Sequence, residues 1–176
     1  MIHVIYFSIY GNCKNVADMI GDHERKNGHE VLVESGEIMT ADELKTMKDA
    51  ELPGTIFLAC PVRRGTIVKQ GRKWLEALAK EIGRRDAWRP KVAIVFTHRI
   101  AGHEFKITLA VKKLARKIHV SLVQDLATKH RASAPLASLI PAPPLALRVT
   151  DVRGPLEKAA PDQLASWLKE HADRLH

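Results

Sequence analysis

Ile2-His3-Val4-Ile5-Tyr6-Phe7-Ser8-Ile9-Tyr10-Gly11-Asn12-Cys13-Lys14-Asn15 is the stretch that decides the fold. Ile2 to Phe7 is a short apolar run rich in β-branched and aromatic side chains, the pattern of a strand buried on both faces, as central strands of parallel sheets are. Ser8 and Gly11 end that run. Lys14 to Lys26, with Val16, Met19 and Ile20 at helical spacing, reads as a helix that stops at Asn27-Gly28. Gly11 permits the tight turn between strand and helix. The first N–H groups of a helix have no internal partner, so the turn can cradle a phosphate with help from Ser8, Tyr10 and Asn12. The chain has neither G-x-G-x-x-G nor G-x-x-x-x-G-K-[ST], so a mononucleotide phosphate fits better than a dinucleotide or a triphosphate.

The same alternation continues outward. Glu30 to Val33 resumes a strand. Thr40 and Glu43 have capping-box spacing, which predicts a short helix through about Ala50. After Pro53-Gly54 the apolar run Thr55 to Ala59 predicts a strand that finishes at Cys60-Pro61, because proline cannot donate to a ladder. Val68 to Ile82 follows as a helix with Trp74, Leu75, Leu78 and Ile82 on its stripe, then Val92 to Thr97 as a strand. A helix carries Ile107, Val111, Leu114 and Ile118 on one side and Lys106, Lys112, Lys113, Arg116 and Lys117 off it, and a last strand pattern lies at His119 to Val123. Leu126 to Pro155, punctuated by prolines, reads as a loop or short extended connection, part of which packs on the core. Pro161 to Leu175 closes the chain as a helix with Leu164, Trp167, Leu168, His171 and Leu175 in one stripe.

Strands alternating with helices at this spacing predict a doubly wound α/β domain, one parallel sheet with helices on both faces, spanning residues 1–176. Ligands of such sheets sit beyond the carboxyl ends of the strands at a topological switch point. Three loops therefore matter: Ser8 to Cys13, Pro61 to Ile67 and Thr97 to His103.

The 176 residues carry 28 Lys plus Arg against 20 Asp plus Glu, a formal charge of +8, which brings anionic partners into view without defining a fold. No stretch approaches the roughly 20 apolar residues of a membrane span, and no basic leader precedes the first strand, so a cytoplasmic location is expected. Cys13 and Cys60 are too few for a disulfide framework and fit no common zinc spacing, and no metal site is expected. Cys60 reads as a core thiol. If the first and third strands are neighbours, a Cys13–Cys60 disulfide or metal pair is the alternative.

The wording of the loops resembles a known family. Ser8-x-Tyr10-Gly11-Asn12 after Val4-Ile5-Tyr6-Phe7 is similar to the phosphate loop of flavodoxin-like proteins, and closest to the quinone-reductase branch once described as tryptophan-repressor-binding proteins. Pro61-Val62-Arg63-Arg64-Gly65-Thr66-Ile67 is similar to that branch's P-T-R-[FY]-G-[NST]-[MI] flavin loop, and Phe96-Thr97 through Gly102 matches the second flavin-flanking loop mainly in position. The likeness covers about residues 1–125 and the last helix. It implies a five-stranded sheet in the order 2-1-3-4-5 and noncovalent FMN at the strand ends, with electron transfer or NAD(P)H-dependent reduction of a quinone or flavin. By position, Ser8, Tyr10, Gly11, Asn12 and Cys13 would hold the phosphate. Pro61, Arg63, Arg64, Gly65 and Thr66 would flank one side of the flavin ring, and Thr97, His98, Arg99 and Gly102 the other.

The flavin would supply the chemistry and the protein would tune it. Arg63, Arg64 or Arg99 near the ring would raise its potential, and His98 or His103 would exchange protons. The implied partners are a small-molecule electron acceptor or an acidic redox protein, with the chain in a dimer or tetramer. The sequence departs from the family in three ways: Tyr10 and Cys13 stand at hydroxyl positions, Arg64 stands where an aromatic ring is usual, and the chain is basic where electron-carrier flavodoxins are acidic. The competing class is a degenerate flavodoxin-like binding module without redox activity, whose basic face binds nucleic acid or another polyanion. No RNP-type, KH or zinc-finger motif accompanies that charge.

Overall fold

The computed structural model describes residues 1–38, 40–63, 66–85, 87–99, 140–151 and 153–175. The first strand, β1 (Ile2–Tyr6), leads into α1 (Asn12–Lys26), and Gly28, at φ +86°, turns the chain out of that helix toward β2 (Val31–Ser35). There follow α2 (Ala41–Thr46), β3 (Thr55–Arg63), the two-residue β4 (Thr66–Ile67), α3 (Lys69–Arg84) and β5 (Lys91–His98). Beyond residue 139 come β6 (Leu145–Arg148) and α4 (Ala160–Leu175).

Five described strands run parallel in the order β2-β1-β3-β5-β6, which is the expected 2-1-3-4-5 arrangement once the short β4, antiparallel to the end of β3, is set aside. The chain turns from β1 outward to β2 and then returns to the other side of β1 for β3. The switch point therefore lies between β1 and β3.

Alternation along the strands sorts the core into two layers. Ile5, Phe7, Ile56, Leu58, Cys60, Ile94 and Phe96 face α3 and Leu44 of α2, where Trp74, Leu75, Leu78 and Ile82 meet them. Ile2, Val4, Phe57, Ala59, Val95 and Leu147 face α1 and α4, where Val16, Ile20, Leu164, Trp167 and Leu168 meet them. Each large buried aliphatic side chain stabilises the fold by about 1.5–3 kcal/mol relative to exposure. Buried hydrogen bonds tie the layers down: Thr55 Oγ1 donates to the Leu175 carbonyl at 2.6 Å, and Trp88 Nε1 to the Pro53 carbonyl at 2.8 Å.

Three elements differ from the sequence reading. First, α2 stops at Thr46, because Arg85 takes over the chain that leaves it. The Arg85 guanidinium donates to the carbonyls of Leu44, Lys45 and Met47 at 3.0–3.1 Å, and a 3₁₀ turn, Asp49–Glu51, follows. Second, β3 runs through Pro61 to Arg63. Phe7 donates to the Ala59 carbonyl, so Pro61, two residues on, faces the side where β1 has ended, and its carbonyl accepts from Val68 instead. Its missing donor costs no ladder bond. Third, β6 comes from the proline-rich segment read as a connection. Trp167 Nε1 donates to the Pro143 carbonyl at 3.1 Å, holding the chain that enters β6. The strand expected at His119 to Val123 and the helix with Lys106 to Lys117 lie outside the described residues.

Candidate functional site

The carboxyl ends of β1, β3 and β5 open on a cleft of about 670 Å³, within the roughly 300–1,000 Å³ typical of small-ligand sites. Ser8, Ile9, Tyr10, Asn12 and Cys13 line it from the first loop, Pro61, Val62 and Arg63 from the second, and Thr97, His98 and Arg99 from the third. The three expected loops thus meet around one cavity. Arg64, Gly65, Gly102 and His103 lie outside the described residues, and of Thr66 only the backbone position in β4 is described.

The first loop is shaped by Gly11, whose φ of +85° is the left-handed conformation that side-chain-bearing residues adopt at a cost. Gly11 is also the N-cap of α1. Its carbonyl accepts from Asn15 at 2.9 Å, while no side chain caps the helix and no acidic residue sits in its first turn. The N–H groups of that turn and the positive end of the helix dipole therefore remain available to an anion. Ser8 Oγ is buried beside them without a hydrogen-bond partner. A buried hydroxyl left unpaired is costly, and a ligand oxygen would satisfy it.

The Asn12 side chain, expected at the phosphate, is engaged elsewhere, and the Cys13 thiol, which stands at a hydroxyl position of the family, has a partner of its own. Asn12 Nδ2 donates to the Gly154 carbonyl at 2.8 Å, and Cys13 Sγ lies 3.2 Å from Thr97 Oγ1. Both residues still offer backbone N–H groups. Burial pushes the Cys13 thiol up to about 11, against a partly offsetting hydrogen bond from Thr97, and complete burial pushes Cys60 well above the ordinary thiol range. Cys13 belongs to the α1/α4 layer and Cys60 to the α3 layer, so the sheet itself separates the two free thiols. That placement removes the disulfide alternative. Among the described residues no cluster of metal-ligating side chains forms.

His98, only 4% exposed, ends β5 with its Nδ1 unpartnered. Burial, and then the charge of Arg148, its register partner on β6, lower its pKa to about 4. It is thus a neutral imidazole at pH 7, a hydrogen-bonding group facing the ligand site. Arg63 reaches the first loop: one guanidinium nitrogen lies 3.4 Å from the Tyr10 hydroxyl, and the group sits 5.8 Å from the ring centroid. Arg99, half-exposed, pairs with Asp151 at 3.2 Å. Among the described residues no tryptophan lines the cleft, and Tyr10 is its one aromatic carbocycle.

A fourth element was missed by the sequence reading. After β6 the chain folds back as a hairpin, with Val149 bridged to Leu156 and Thr150 donating to the Pro155 carbonyl. Val149 lines the cleft, and the tip of the hairpin supplies Asp151 to Arg99 and Gly154 to Asn12. The turn wording Asp151-x-Arg153-Gly154-Pro155 directly after a short apolar run was the available signal.

No family model matches the sequence, and no curated protein matches it. Solved structures do match by shape. Flavodoxin 2 from Bacillus cereus aligns with a TM-score of 0.60 at 17% identity, covering 98% of both chains. A flavodoxin from the domain Archaea aligns with a TM-score of 0.54 at 15% identity, over 99% of this chain and 95% of that one. Rubredoxin oxygen:oxidoreductase from the anaerobe Desulfovibrio gigas aligns with a TM-score of 0.62 at 13% identity; this chain spans 35% of its length. The fold is flavodoxin-like.

Proposed function

We propose that this chain binds FMN in the cleft at the ends of β1, β3 and β5 and serves as a redox protein, an electron carrier or an NAD(P)H-dependent reductase of quinones or flavins. The observation that carries this reading is the uncapped start of α1 behind left-handed Gly11, with the unpaired Ser8 hydroxyl beside it and the cleft in front. Those groups fit a phosphate by their chemistry: oriented N–H donors, a hydroxyl and no competing carboxylate in the first turn. The backbone N–H groups of Asn12 and Cys13, with Ser8, would hold the phosphate. Pro61 to Arg63 and Thr97 to Arg99 would flank the ring.

When bound, FMN supplies one- and two-electron redox chemistry. The protein's part is to orient and shield it. Val62 and Val149 offer apolar contact, His98 offers a neutral imidazole, and Arg63 would place positive charge near the ring, which favours the reduced, more negative cofactor, while the charge of Arg99 is offset by Asp151. The loop wording Pro61-x-Arg63-Arg64-Gly65-Thr66 favours the quinone-reductase branch, so a quinone with NAD(P)H is the first acceptor and donor pair to assay, followed by an acidic redox protein.

A visible spectrum tests the central point. Adding FMN to purified protein is expected to quench flavin fluorescence at stoichiometry and perturb the flavin bands. Unperturbed bands at millimolar FMN defeat the reading.

The second reading, a polyanion-binding module without redox activity, is favoured by one observation: Arg63, Arg99 and Arg153 lie at a single end of a chain with charge +8. It predicts DNA binding that weakens steeply with salt in a protein indifferent to FMN.

A further inference from the structure

Arg153 has no counterpart in the three loops from which the cleft was read. It sits at the tip of the hairpin after β6, next to Gly154, whose carbonyl accepts from Asn12, the first residue of α1. Its guanidinium lies 5.9 Å from the centroid of the Tyr10 ring, so it stands over the same loop that Arg63 reaches from β3. The hairpin is fixed on both sides: Val149 donates to the His98 carbonyl at 3.0 Å, and Asp151 pairs with Arg99 at the end of β5. Its tip also demands glycine, because a Cβ on Gly154 would run into Thr150 Oγ1.

Arg99 and Arg148 pair with Asp151 and Glu157, whereas Arg153 meets no carboxylate among the described residues. An exposed arginine held by its own backbone beside unsatisfied N–H groups and a buried unpaired Ser8 hydroxyl completes an anion site rather than a surface ion pair. The buried His98 on the same cleft, whose Nδ1 has no hydrogen-bond partner, is a second sign that a ligand belongs there.

We propose that Arg153 binds the phosphate of the ligand and makes this cleft select a phosphomonoester over its unphosphorylated counterpart. The inference rests on the reading of the α1 N-terminus as a phosphate site. The hairpin follows β6, three strands away from β1, yet brings the guanidinium to the loop after β1, and Asn12 spends its side chain on holding the hairpin there.

FMN and riboflavin differ only by the phosphate, which makes them the discriminating pair. Arg153→Ala is expected to weaken FMN about 10-fold or more while leaving riboflavin unchanged, as loss of a charge-assisted hydrogen bond to an anion does. Arg153→Lys should recover part of the loss. Lys169→Ala, which removes the same charge from the exposed face of α4, should leave FMN affinity unchanged. Inorganic phosphate titrated by calorimetry gives a readout that needs no flavin. If Arg153→Ala binds FMN like wild type, loses FMN and riboflavin alike, or matches Lys169→Ala, the inference is overturned while FMN binding stands. If wild type binds phosphate in an Arg153-dependent way but ignores FMN, the inference stands and the FMN reading falls. Binding of neither phosphate nor FMN overturns both.

Discussion

Acid should destabilise this fold through His98, by an amount the structure bounds. The imidazole is buried against Phe96, 6.3 Å between ring centroids, and lies beside Arg148, and both burial and that charge oppose protonation. Its pKa falls from the ordinary 6.5 to about 4. The unfolded chain therefore takes up a proton below pH 6.5 that the folded chain refuses until about pH 4. Stability contributed by the neutral imidazole is fully present above 6.5 and is lost progressively as pH falls through that window. Linkage gives a loss of about 1 kcal/mol between pH 7 and 5.5, growing to about 2 kcal/mol at pH 4.5.

Urea unfolding at these three pH values measures the total, and a His98→Gln variant isolates the His98 share, because the amide keeps a polar group and cannot titrate. His3, also buried with a lowered pKa, contributes in the same direction to both proteins and cancels from the difference. The gap in stability between wild type and variant should shrink by about 2 kcal/mol from pH 7 to 4.5. Parallel losses in the two proteins refute the reasoning, and so does an imidazole resonance of His98 that titrates near 6.5 by NMR.

Two further outcomes follow from the first loop and the thiols. Gly11→Ala places a Cβ at φ +85° with no atom within 4 Å of it, so the cost is backbone strain alone, about 1–2 kcal/mol in unfolding experiments. FMN affinity should fall in the same variant, since relaxing φ turns the first helical N–H groups away; unchanged stability and affinity would falsify the left-handed cap. Cys13 and Cys60, both buried and with raised pKa values, should resist a soluble disulfide reagent in the folded protein at pH 8 and react at once in denaturant. Fast labelling of the native chain would contradict their placement.

The central sheet was legible because its strands are apolar on both faces. Val4, Ile5, Phe57, Leu58, Ile94 and Val95 must face one layer or the other, so their runs survive without alternation, and the glycine after β1 marks the turn. The edge strand β6 was not legible. Leu145-Ala146-Leu147-Arg148 has no β-branched residue and follows Pro141, Pro143 and Pro144, and what makes it a strand is pairing with β5 and packing of Leu147, neither of which is local. The site divided along the same line. Gly11 announced the tight turn into α1 because a backbone requirement is written in residue identity. Asn12 and Cys13 read as ligands by position, yet their side chains answer to Gly154 and Thr97, which lie 142 and 84 residues away in the chain.

That long-range pairing changes what the positive charge means. A net +8 says only that anions are attracted, and a salt-screened surface field gives little selectivity. Arg99 and Arg148 are neutralised by Asp151 and Glu157, and what these ion pairs leave behind is geometry, a hairpin held beside the α1 N-terminus. The arginine at its tip is then the charge with positional information. Excess basicity would speed the arrival of any anion and make that rate fall with salt. Which anion stays is set by a few fixed donors: the first-turn N–H groups, the Ser8 hydroxyl, and Arg153 beside them.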